Sequence, residues 1–235
     1  MTLFSVVYLR TLRLSGCIIA FLSCSSLAHA QETVYTDSSL FNLACSNLTL
    51  IDFSTANVNG SNSITFTSSS SGMTLSGVNF VGKLSDGTYS TGVVGPNFYP
   101  SYSGWPGNPT VLTDGSNSTL LRTLTITLPN NITAVGTNLY TAYVGDGSSN
   151  SVSTVTFTLN NGDKLVFNTF EKPDLAFAGF TSTAPISSIQ VTTPGNTFPY
   201  LSSFVFGQAV PESSTIVTAL LGLTGAASLR RRRIV

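Results

Sequence analysis

The 235 residues carry ten Lys plus Arg against ten Asp plus Glu and are formally neutral, but the balance is uneven along the chain. Arg10, Arg13 and the run Arg230, Arg231, Arg232, Arg233 lie in the two ends, and between Gln31 and Ala209 the cations Lys83, Arg122, Lys164 and Lys172 stand against Glu32, Asp37, Asp52, Asp86, Asp114, Asp146, Asp163, Glu171 and Asp174. An acidic middle repels phosphate backbones and excludes nucleic acid as a partner, while a segment of this length buries roughly 70% of its unfolded surface and forms one domain without a metal or disulfide staple.

Residues 1–30 read as a secretory signal peptide. Arg10 and Arg13 precede the apolar run Leu14 to Leu22, and Ala28-His29-Ala30 places small residues at the two positions a signal peptidase reads, so cleavage is expected before Gln31. Cys24 as a lipidation site is the competing reading, opposed by Phe21 where a lipobox carries leucine. Cys17, Cys24 and the single histidine, His29, leave with the leader. Cys45 is then the one thiol of the mature chain, no internal disulfide can form, and its place beside Ala44 reads as a small buried hydrophobe rather than a reactive group.

Residues 31–209 are rich in Ser, Thr, Asn and Gly, with apolar residues recurring at period two. Strands are expected at Leu48–Phe53, Ser63–Thr67 and Met73–Val81; then at Leu124, Ile126 and Leu128 alternating with Thr123, Thr125 and Thr127; then at Ile132–Val144. Val155, Phe157 and Leu159 alternate with threonines in the same way, β-branched residues suiting the wet face of a pleat. Lys164–Phe170, Ala176–Thr181, Ile186–Thr192 and Leu201–Phe206 complete the set. Asn160-Asn161-Gly162-Asp163 supplies a tight turn between two strands, with Asn-Gly offering positive φ. No long window has helical period and no internal repeat is present. The expected fold is all-β, a single antiparallel β-sandwich of jelly-roll type.

Three groups of residues could carry chemistry in this body. Gly95 to Pro109 concentrates Phe98, Tyr99, Tyr102 and Trp105 among prolines and glycines. Flat rings on a stiff loop suit stacking on sugar faces, which makes Tyr99, Tyr102 and Trp105 candidate ligand-binding residues; the other reading is a loop folded back to plug one end of the sandwich. Asp52, Asp114 and Asp146 offer hard oxygen to a structural calcium ion, although no run has calcium-loop spacing, and turn-forming carboxylates are the alternative. Glu171 and Asp174 are the closest carboxylate pair and the only basis for a glycosidase, against a solvated connection around Lys172 and Pro173. Without histidine in the mature chain, most hydrolytic triads are excluded, no Ser lies in a Gly-x-Ser-x-Gly elbow, and the reading is non-enzymatic with no cofactor.

Residues 210–235 read VPESSTIVTALLGLTGAASLRRRRIV. The apolar stretch Ile216 to Leu229 would be about 21 Å long as a helix, short of a ~30 Å hydrocarbon core unless Ser213 to Thr215 are drawn in and the arginines snorkel. Arg230, Arg231, Arg232 and Arg233 would stay cytoplasmic, placing Pro211 and Glu212 at the outer face. Gly222 and Gly225 would let a partner helix come close. This tail resembles the PEP-CTERM sorting signal: Val210, Pro211 and Glu212 match the motif, followed by the short apolar helix and the stop formed by Arg230, Arg231, Arg232 and Arg233, with Ser213 standing where members usually carry a second proline. The resemblance implies processing by the membrane enzyme exosortase; a simple uncut tail anchor is the alternative.

The passage from Leu120 to Gly207 resembles the jelly-roll ectodomain common among PEP-CTERM proteins, except that Ser202-Ser203 stands where members often have Asp-Asn before the last Phe-x-Phe-Gly. The family setting implies a surface or extracellular-matrix protein in contact with extracellular polysaccharide, with signal peptidase and exosortase as processing partners. A secreted carbohydrate-active enzyme using a carboxylate pair, and a purely structural self-assembling subunit, are the competing functions.

Overall fold

The computed structural model describes residues 30–56, 64–95, 111–113, 122–143, 146–150, 152–169, 175–194 and 197–211. Contacts group Glu32–Val235 into one unit apart from Met1–Gln31, and the elements below belong to the former. In chain order they are β1 (Glu32–Tyr35), α1 (Ser38–Leu43), β2 (Cys45–Ile51), a 3-10 turn (Phe53–Ala56), β3 (Ile64–Thr67), β4 (Met73–Leu75), β5 (Val78–Leu84), β6 (Thr91–Val94), β7 (Val111–Thr113) and β8 (Arg122–Thr127). They continue with β9 (Ala134–Tyr143), β10 (Asp146–Asn150), β11 (Thr154–Leu159), β12 (Lys164–Asn168), β13 (Ala176–Ser182), β14 (Ser188–Thr192) and β15 (Thr197–Ala209).

The described pairings are antiparallel and make two sheets. One has nine strands, ordered β1-β13-β9-β15-β7-β6-β3, with β10 added to β9 and β2 to β15; the other has six, ordered β12-β11-β14-β8-β5-β4. The sheets share a core. Phe80 of β5 meets Phe204 of β15 edge-on at 5.5 Å, and Phe157 of β11 meets Phe180 of β13 at 5.9 Å, while Phe53 closes on Phe80 at 5.6 Å. Edge-to-face rings place the positive rim of one against the negative face of the next, so these contacts fix angle as well as burial. A polar link also crosses between the sheets: the Thr169 hydroxyl donates to the Ser153 carbonyl at 3.0 Å, leaving the Thr141 hydroxyl at 2.9 Å to act as donor to Thr169.

The all-β, two-sheet expectation holds, and the strands read from alternation lie where alternation put them. In β11, Val155, Phe157 and Leu159 are buried and the threonines between them are half-exposed. Met73–Val81 is in fact two strands, because Ser76 (φ 49) and Gly77 (φ 80) both take the positive φ that a two-residue hairpin turn requires. The Asn160–Gly162 hairpin forms with one positive φ, at Gly162 (92), rather than two: Gly162 N donates to Leu159 O and Leu159 N to Asp163 O, the pattern of a three-residue loop. Leu84 to Thr88 repeats that geometry around Gly87. The last strand is much longer than Leu201–Phe206, and β1, α1, β6, β7 and β10 lie in passages without readable alternation.

Helix α1 starts because the Asp37 carboxylate accepts from the N–H groups of Ser39 (2.7 Å) and Leu40 (3.1 Å), satisfying donors that have no partner inside the helix. It lies on the face of the nine-stranded sheet turned away from the core. A Cβ placed on Gly136 or Gly179 would sit 3.1 or 2.8 Å from the Phe41 ring, so glycine at both positions makes room for it. Phe41 is fully buried there, edge-on to Tyr35 (5.8 Å) and tilted against Phe177 (5.5 Å).

The two ends of the body leave from the same end of this sheet. Thr33, Thr181, Ala134 and Gly207 are register partners in a single row across β1, β13, β9 and β15. At ~4.8 Å per strand, the start of β1 and the finish of β15 are about 14 Å apart. Beyond β15, Val210 N donates to Ala44 O at 2.8 Å, tying the exit of the chain to the end of α1.

Candidate functional site

Because successive side chains point to opposite faces, the outer face of the nine-stranded sheet can be read along β9 and β15. Val135 and Leu139 belong to the central core, as do Leu201, Phe204 and Phe206. Gly136, Asn138 and Tyr140 therefore face outward, and so do Tyr200 and Val205. Tyr140 and Tyr200 are directly opposite one another and stack flat, with centroids 4.9 Å apart and planes 1° from parallel, and Phe198 leans on Tyr200 at 6.1 Å. The stacked rings are 1% and 3% exposed.

One step along the strands the character changes from aromatic to polar. A bulge between Leu201 and Ser203 gives β15 one residue more than β9, and the extra residue brings both serines beside Asn138. The Asn138 amide donates to the Ser203 hydroxyl (3.2 Å), the Ser202 hydroxyl donates to the Asn138 carbonyl (3.4 Å), and the Thr137 hydroxyl donates to the Ser203 carbonyl (2.5 Å). Asn138, Ser202 and Ser203 are half-buried. An amide and two hydroxyls offer donors and acceptors within a few ångströms of each other, held on paired strands rather than on a loop.

Of the residues singled out from sequence, Tyr99, Tyr102 and Trp105 lie outside the described residues, as do Asp114, Glu171, Asp174, Ala28 and Glu212. The arginine stop, Arg230, Arg231, Arg232 and Arg233, lies outside them as well. The anchors of the aromatic passage are nonetheless placed: β6 and β7 pair through Val94 and Val111, and Leu112 is opposite Leu201. The passage is thus rooted one strand away from Ser202. Asp52 is described and turns its carboxylate onto Ser54, accepting from its N–H (2.9 Å) and its hydroxyl (2.7 Å). Asp146 opens β10 opposite Tyr143. Among the described residues no group of three His, Cys, Asp or Glu side chains comes together.

Other described carboxylates also serve turns. Asp86 accepts from Thr88 N (2.8 Å), and Asp163 accepts from the Asn161 amide (2.7 Å), which also reaches Glu32 (2.9 Å). Burial pushes the Glu32 carboxyl above its ordinary value, with the Asp163 charge adding to the effect and the Asn161 amide and Ser182 hydroxyl opposing it. Glu32, Asn161, Ser182 and Ile186 line a small surface hollow of about 30 Å³. Cys45 is half-buried, and burial pushes its thiol up to about 11. A thiol so held is almost wholly protonated at neutral pH.

No protein-family model matches the chain, and no curated protein matches its sequence. Among solved structures, the chain is similar to a family 29 carbohydrate-binding module complexed with cellulohexaose, at TM-score 0.33 and 9% identity over 60% of this chain and 89% of that one. It is similar also to a second variant of the same module, at TM-score 0.31 and 10% identity over 63% and 93%. Likeness of that depth assigns neither fold nor ligand to this chain. Among the described residues no helix is long and apolar enough to cross a membrane; Ile216 to Leu229 lie outside them.

Proposed function

We propose that the chain is an exported, non-catalytic surface or extracellular-matrix protein, delivered by a signal peptide and a PEP-CTERM-like tail, whose β-sandwich contacts extracellular polysaccharide. The observation that carries the polysaccharide reading is the outward strip of Asn138, Ser202 and Ser203 beside the stacked tyrosines. Sugars are bound by amides and hydroxyls that pair with their own hydroxyls, next to flat apolar surface that meets their C–H faces. Here Tyr140 and Tyr200 are covered and brace the strip; the stacking surface we propose is Tyr99, Tyr102 and Trp105, in the passage that leads into β7, the strand paired with β15 at Leu201. Export is supported by the sequence, in which Ala28-His29-Ala30 precedes β1 and Val210-Pro211-Glu212 follows β15.

Two measurements test this. Mass spectrometry of both termini, fractionated by location, should find an N-terminus at Gln31 and a chain released near Glu212, without Arg230, Arg231, Arg232 and Arg233; a cytosolic protein with its leader intact would refute the route. Affinity electrophoresis through the host's own extracellular polysaccharide should show retardation that is lost in Tyr99→Ala/Tyr102→Ala/Trp105→Ala and reduced in Asn138→Ala/Ser203→Ala. Unchanged retardation in both folded variants would remove this face as the site, and the absence of any retardation would remove the ligand.

A further inference from the structure

We propose that α1 and the finish of β15 form a membrane-resting foot, an apolar face that lies on the lipid bilayer while the tail is inserted. The inference rests on the membrane tail of the proposed function and goes beyond it, since a tail alone leaves the body free to tumble on its tether. The face is made of residues that folding leaves in water: on α1, Leu40 is 59% and Leu43 80% exposed, and beside them Leu50 is 64% and Val210 47% exposed.

Helix α1 and Leu50 lie on the same outer side of the nine-stranded sheet. Ile51 belongs to the core, so Leu50 points outward, directly opposite Val205. Val205 and the Phe41 ring converge on the same spot, 3.0 and 3.1 Å from where a Gly136 Cβ would stand. Phe41 is the buried residue of α1, and Leu40 and Leu43, three residues apart, share the exposed face of the helix turned away from it. Val210 is bonded to the C-terminal end of the same helix through Ala44. No charge interrupts the surface in sequence: from Ser38 to Ile51, and from Val205 to Pro211, there is no Asp, Glu, Lys or Arg.

The occupant follows from the length of the tether. Ser213 to Thr215 and the Pro-Glu pair are all that separate Val210 from Ile216, the first residue of the apolar stretch. Even fully extended, that connection reaches about 20 Å, no more than the depth of the headgroup layer plus a side chain or two. A face carrying exposed leucines and held so close to the bilayer partitions into its interface, as an amphipathic surface helix does.

The test uses the chain from Gln31, its C-terminal tail retained, with Cys45→Ser, an environment-sensitive fluorophore on Leu43→Cys or Leu40→Cys, and Gln190→Cys on the water face of the six-stranded sheet as the comparison. The protein is reconstituted in phosphatidylcholine–phosphatidylglycerol vesicles with and without brominated acyl chains. Flotation with the vesicles, together with loss of roughly half the emission at 40 and 43 and little at 190, is the expected result. Flotation with no quenching at either α1 position overturns the foot and leaves the membrane tail standing. Failure to float removes the tail, and the foot with it. If the probes are shielded in native membranes yet unquenched by brominated lipid, and crosslink there to a membrane protein, the face belongs to a protein partner and the lipid assignment is wrong.

Discussion

In the six-stranded sheet, β11 and β14 bury every second residue and turn threonine, glutamine and serine to water, whereas in the nine-stranded sheet β6 is buried at every position and β13 at all but Phe177. One sheet has a dry face and a wet face; the other is covered on both where α1 lies on it. The composition follows the covering. Threonine fills the wet positions of β8 and β11, while β9 and β13 use Gly136 and Gly179, because a helix approaching a sheet needs small residues beneath its rings. The proposed polysaccharide strip and the proposed membrane foot both belong to the doubly covered sheet.

The largest loss is expected where the two sheets meet. Phe80→Ala removes the ring that contacts both Phe53 and Phe204 and should cost about 3–5 kcal/mol in urea unfolding, since the cavity is walled by both sheets. A loss below about 1 kcal/mol would mean that the sheets are not packed through this residue. A sharper contrast comes from thiols. Cys45, held at about 11 against an ordinary 9.0, should react with iodoacetamide at pH 8 roughly 10-fold more slowly than a cysteine introduced as Gln190→Cys on the wet face, the scarcer thiolate being partly offset by its greater nucleophilicity. Equal rates would place Cys45 in open water.

Next in size is Gly179→Ala. Its Cβ would lie 2.6 Å from the Phe177 ring and 2.8 Å from Phe41, so the helix or the ring must move, at about 1–3 kcal/mol. A stabilising effect there would show that α1 is not seated on the sheet. The smallest effect is expected from Gln190→Ala, exposed in the middle of the six-stranded sheet, which should stay within about 0.5 kcal/mol of the parent.

The same contrast explains how much of the fold is legible in the sequence. Strands of the six-stranded sheet announce themselves, since a half-wet strand must alternate, as in Thr154 to Leu159. Strands covered on both faces do so unevenly: β9 and β13 are read at Ile132–Val144 and Ala176–Thr181, but Thr91-Gly92-Val93-Val94 has no alternation to read, and β15 is recognisable only from Leu201, because Pro199 and the Ser202-Ser203 bulge break its pattern on either side. Helix α1 is too short for a helical period to emerge, and its signal is local, an Asp followed by two serines at the cap. Asn138 carries no signal of its own, being one asparagine among many until the bulge in β15 sets two serines against it. Ser76-Gly77 is a turn dipeptide, but it lies inside an apolar passage that reads as one strand.

The thirteen-residue β15 has one more consequence, for timing. It holds β9 along one side, and β2 and then β7 along the other, and it follows every other described strand in the chain. Until Ala209 is available, those three have no common spine to zip onto. The groups β1-β13-β9 and β3-β6-β7 can form before β15, but the larger sheet is joined into one only when the last described strand has been made.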